Sequence, residues 1–145
     1  MFDPETQTFL ESGCALIVGT VGSDGAPHAG RGWGLEILCA DPARYSSSLT
    51  AVMMPAGHDA DGFRRVVLEA FDMSLGTGLA KVAGKVFRIG HLGDFNDLTL
   101  MGTLAGVEMG LVLAGVPHRA GGVQAAMEYL AAARAQPASR SAVAA

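Results

Sequence analysis

The sequence predicts an α+β fold in which helices cover a β-sheet, and three features carry that prediction. Short apolar runs at 35–39, 49–54 and 86–90 are bounded by Asp-Pro, Ser, Pro and Gly, the residues that interrupt strands. Phe63, Val66, Val67 and Ala70 recur at helical spacing behind Asp59, with Arg64, Arg65 and Glu69 off that face. A chain of 145 residues, 50% hydrophobic and 17% charged, is one domain with or without an appendage and long enough to bury a core.

The elements follow in order. Asp3 caps a short first helix with Pro4 in its first position, and Gly13 ends it. Residues 14–21 form a strand, Gly22-Ser23-Asp24-Gly25 a hairpin turn, and the chain returns from Ala26 as a second strand. The run at 35–39 ends at Asp41-Pro42, and a serine cluster at 46–48 separates it from the strand at 49–54, which Pro55 and Gly57 stop. Asp59 caps the helix that runs to about Phe71. Gly76, Gly78 and Gly84 punctuate a mobile loop before the strand holding Arg88. A long helix runs from about Asn96 until Pro117 closes it, and an alanine-rich helix spans 121–135 with Val123, Met127 and Leu130 on one side. The organisation expected is a helix-plus-hairpin appendage at 1–30, a main domain at 31–135 and a disordered tail at 136–145.

Composition excludes several functions. A net charge of -4 gives no footprint for nucleic acid, which needs clustered Lys and Arg against phosphates. The acidic N-terminus lacks the basic and apolar regions of a secretory signal, so a cytoplasmic protein is expected. Cys14 and Cys39 have no metal or redox spacing and read as buried reduced thiols. The stretch 98–116 is almost long enough to span a bilayer, but Glu108 lies near its middle and basic flanks are missing. It reads instead as a buried interface helix, with Gly102, Gly106 and Gly110 marking where another element comes close.

Arg88 is the principal candidate site residue. Alternation puts Phe87 and Ile89 on one strand face and Val86, Arg88 and Gly90 on the other, so the guanidinium faces a cleft, with room beside Gly90. Its rigid fork of donors suits a carboxylate, and the competing reading is an internal ion pair with Asp94 or Glu108. The run from Gly76 matches neither the dinucleotide fingerprint nor the P-loop. Lys81 and Lys85 read as solvent-facing and not as Schiff-base nucleophiles. His58, Asp59 and Asp61 resemble a metal cluster, but Asp59 serves better as a helix cap. His91 lies on the strand face opposite Arg88, and His28 and His118 sit beside turns. No catalytic triad can be assembled.

The stretch from RGWGLEILCADPARYSS to KVFRIGHLGDFND and on to about residue 135 resembles the C-terminal, smaller domain of serine-glyoxylate aminotransferases, class V enzymes that use pyridoxal phosphate. The resemblance implies that Arg88, in KVFRIGHLG, binds the substrate α-carboxylate beside a loop containing Gly76, Thr77 and Gly78. It implies an antiparallel sheet with helices on one side, packed against a large cofactor domain in a homodimer that moves an amino group from serine or alanine to glyoxylate. The large domain, with its Schiff-base lysine, has no counterpart in these residues. Pyridoxal phosphate is therefore not expected to attach to this chain, which is expected to be inactive alone. The first thirty residues weakly resemble the opening helix and hairpin of FMN-binding split barrels related to pyridoxamine phosphate oxidase. An FMN-binding protein with Arg31 at the phosphate is thus one alternative, and a non-catalytic oligomerising fragment is another.

Overall fold

A computed structural model describes residues 19–21, 27–29, 31–32, 35–41 and 44–135, the first three of these stretches by their backbone alone. The expected first helix, the turn at 22–25, Cys14 and the expected disordered tail lie outside the described residues.

A short antiparallel pair, β1 (Gly19–Val21) and β2 (Pro27–Ala29), precedes the main sheet. That sheet holds β3 (Arg31–Gly32), β4 (Leu35–Ile37), β5 (Leu49–Met53), β6 (Gly76–Thr77) and β7 (Val86–Gly90). Its spatial order is β3-β4-β5-β7-β6 and every pairing is antiparallel. The central pair places Ala51 opposite Arg88 and Val52 opposite Phe87. Cross-strand partners share a face, so two faces of different chemistry follow from one register. Val52, Phe87 and Ile89 are buried toward the helices, while Ala51, Arg88 and Gly90 lie on the opposite face.

Helix α1 (Ala60–Phe71) begins where the sequence marks it: the Asp59 carboxylate accepts the N–H groups of Asp61 and Gly62. Its Phe63 ring packs 4.8 Å from that of Phe87, anchoring the helix on the sheet. Helix α2 (Asp97–Leu113) is capped by Asn96, whose side chain accepts from Leu98 and Thr99. It stops at Leu113, earlier than Pro117. Gly115 is left-handed, its N–H reaches the Val112 carbonyl, and the Val116 N–H reaches that of Leu111. This crossed pair ends the helix and seals the buried Val116 against Leu111.

The glycines of α2 do not act as one stripe. A methyl at Gly106 would sit 2.7 Å from Met73 Cε, and one at Gly110 would strike Val67 and Phe63, whereas Gly102 has open space around it. Gly106 and Gly110 therefore let α1 and the chain beyond it approach α2. Helix α3 (Gly122–Ala135) packs on α2. The Glu108 carboxylate accepts the N–H groups of Gly121 and Val123, and Arg134 pairs with Asp97 at 2.7 Å. One core unites Leu35, Val52, Phe63, Val67, Phe87, Ile89, Leu104, Val107 and Leu111 with Ala126 of α3. Among the described residues, no helix is long and apolar enough to cross a membrane.

Candidate functional site

Arg88 occupies the middle of β7, between Ala51 of β5 and Gly76 of β6. A Cβ at Gly76 would lie 3.0 Å from Arg88 Cβ and 3.2 Å from its Nε, so the side chain lies across the glycine. Glycine at 76 gives the guanidinium stem its bed. Arg88 Nε is buried and has no hydrogen-bond partner. Ion pairs between described residues, Arg64–Asp61 and Arg134–Asp97, do not include Arg88. The competing expectation of an internal pair with Asp94 or Glu108 is thus not met. Leaving a buried donor unmatched costs about 1–3 kcal/mol, and more when it is charged, so the position favours an anionic ligand.

The segment expected as a mobile loop is partly sheet. Gly76 and Thr77 pair with Arg88 and Phe87, Gly78 is buried, and residues 80–82 form a 3-10 turn. Physically, β7 needs an edge partner, and two residues suffice for one ladder step. Val86, expected beside Arg88 on the cleft face, is fully buried. The carbonyls of Val82 and Val86 leave no space for a side chain at Gly78, so this segment lies close against β7.

Beneath the edge strand is a polar cluster. Thr77 Oγ1 donates to Asp61 Oδ1 at 2.9 Å, and Arg64 Nη1 donates to the same oxygen at 2.8 Å. Arg64 Nε donates to the Leu75 carbonyl at 2.7 Å. The Thr77 hydroxyl, then Arg64, hold the Asp61 carboxyl below its ordinary value. Sequence reasoning placed Asp61 only in a possible metal cluster. The Asp61/Arg64 spacing on a first helical turn hinted at their pairing, but nothing local shows the link to Thr77.

The remaining candidates separate from Arg88. Lys81 and Lys85 are exposed, so neither has the desolvated setting a Schiff-base lysine needs, and the described residues do not fit covalent attachment of pyridoxal phosphate. Asp59 is committed to its helix. His91 sits on the helix side of the sheet: Nδ1 meets the Ser47 carbonyl at 3.2 Å and Nε2 meets Thr50 Oγ1 at 3.1 Å. Because a carbonyl only accepts, Nδ1 carries the proton and Nε2 accepts from Thr50. Burial pushes this imidazole below its ordinary value. Cys39 is a free, half-buried thiol facing the Asp41 and Arg44 carbonyls, and His118 Nδ1 meets the Val116 carbonyl. A separate recess of about 290 Å³ opens beside the β4–β5 connection near Cys39, Tyr45 and Thr50, without Arg88 in its wall.

No family model matches the sequence. Curated relatives do. The chain is 46% identical over 99 residues to a serine–glyoxylate aminotransferase of Methylorubrum extorquens and 50% identical over 99 residues to one of Arabidopsis thaliana. Each match covers 68% of this chain and 25% of the relative, so the chain spans about a quarter of their length. Among solved structures, ureidoglycine-glyoxylate aminotransferase from Bacillus subtilis superposes with a TM-score of 0.66 at 26% identity, covering 88% of this chain and 30% of that one. Pyridoxamine-pyruvate aminotransferase from Mesorhizobium loti shares the fold, with a TM-score of 0.69 at 23% identity over 88% of this chain and 30% of that one. Through this stretch the chain belongs with the serine/alanine-glyoxylate aminotransferases, as a counterpart of their C-terminal portion.

Proposed function

We propose that this chain supplies the carboxylate-binding part of an aminotransferase site, with Arg88 gripping the α-carboxylate of a small amino or oxo acid such as glyoxylate or serine. The observation behind this reading is the buried, unpartnered Nε of Arg88 on the sheet face opposite the one that packs on α1 and α2. A guanidinium offers two parallel donors to a carboxylate, which fixes the substrate's orientation as well as its place. The amino-transfer chemistry itself is the province of pyridoxal phosphate held on another body. On this reading the chain does not catalyse alone, a view supported by the exposure of Lys81 and Lys85, which gives neither the desolvated setting of a Schiff-base lysine.

The cofactor-bearing partner covers the Arg88 face, and the assembly is a homodimer of such units. Leu38 lies in the row of Ala51 and Arg88, since its N–H bonds to the Ala51 carbonyl, and it remains 46% exposed. An exposed apolar side chain two strands from the cation, in the same row, suits a covering surface that brings both an anion and apolar contact. Titrating glyoxylate into the 15N-labelled chain tests the reading. The Arg88 Nε–Hε resonance should move on saturation, and an unmoved resonance at millimolar ligand would exclude the site.

A further inference from the structure

We propose that Asp61, Arg64 and Thr77 are positioning residues that clip the edge strand β6 from below and thereby set the lie of Arg88; the role in substrate binding rests on the carboxylate reading above. The register carries the inference. Within β6, Gly76 faces the open side with Arg88, whereas Thr77, one residue on, is paired with Phe87 and directs its hydroxyl to the first turn of α1. A two-residue edge strand has little ladder of its own to hold it. The start of α1 makes good that deficit at two points and holds the chain before β7 at a third. Asp61 takes the Thr77 hydroxyl, Arg64 takes the Leu75 carbonyl just before Gly76, and the Ala60 N–H bonds to the Gly84 carbonyl at 2.9 Å just before β7.

Arg64 also donates to Asp61, so the two fastenings of β6 share one carboxylate oxygen. Asp59 holds the main chain of that residue by accepting the Asp61 N–H at 3.2 Å. The consequence reaches Arg88 through contact, because Gly76 lies within a methyl's reach of Arg88 Cβ and Nε. Fastened from the helix side, β6 presents only glycine to the guanidinium, so no side chain of β6 stands between it and a ligand. A loosened β6 would let the guanidinium swing, and a small misplacement of a binding group is expensive in affinity.

The test uses the 15N-labelled full chain, with the Arg88 Nε–Hε cross-peak assigned by its loss in Arg88→Lys. Thr77→Val removes the hydroxyl at nearly constant shape and should displace or broaden that peak and weaken glyoxylate binding about tenfold. Thr77→Ser, which keeps the hydroxyl, should restore both. Asp61→Ala, at a half-exposed site outside the sheet, is the second variant and should move the same peak. An Arg88 peak unmoved in both Thr77→Val and Asp61→Ala overturns the clip. A wild-type peak that ignores glyoxylate overturns the carboxylate reading instead, whatever the two variants do.

Discussion

At the scale of single residues, charge and geometry separate Arg88 from a merely basic side chain. Arg88→Lys keeps the charge but not the fork, and it should weaken glyoxylate binding by about tenfold or more in a calorimetric or NMR titration. His91 gives a second expectation. Its imidazole is half-buried between Ser47 and Thr50, and burial depresses its proton affinity, so the unfolded chain binds the proton more readily than the folded one. The stability it contributes is fully present above the ordinary value of 6.5 and is lost as pH falls from there toward the depressed folded value. Thermal melting should therefore decline across that window, and His91→Gln should flatten the decline. Asp61 behaves likewise at lower pH, below its ordinary 3.8, so the two contributions separate along the pH axis. The identity of Arg88 as an outlier was legible in the sequence, since a charge in an apolar strand stands out. Its lack of an internal partner was not, because that depends on where Asp94 and Glu108 fold.

At the scale of elements, the two capped helices test how far local rules reach. Asp59 and Asn96 announce their helices because a cap acts on the next three residues, and Asn96→Ala should cost about 1 kcal/mol in chemical denaturation. The glycines of α2 tell the opposite story. Four-residue spacing signals close approach but not which glycine meets what. Gly102→Ala enters open space and should stabilise the helix by up to about 1 kcal/mol, since alanine is the better helix former. Gly110→Ala meets Val67 and Phe63, and overpacking of about 1–3 kcal/mol should outweigh that gain. Equal effects at the two positions would refute this division of the helix. The edge strand β6 escaped sequence reasoning for a related cause: two residues, one of them glycine, have no periodicity to read.

At the scale of the whole molecule, the five-stranded antiparallel sheet has helices on one face and Arg88 on the other. If the cofactor is held by another body, mixing the chain with pyridoxal phosphate and reducing with borohydride should leave Lys81 and Lys85 unmodified above the level of free lysine, as peptide mass mapping can show. Helix positions, caps, the apolar strands and the singular arginine were determined by the sequence itself, because each depends on neighbours a few residues away. Only the tertiary structure decided that Gly110 receives α1 and Gly106 the chain beyond it while Gly102 stays open, that Thr77 fastens to Asp61, and that the Arg88 Nε is left without a partner. Those outcomes join residues far apart along the chain, and which of them meet is fixed by strand register and helix packing together.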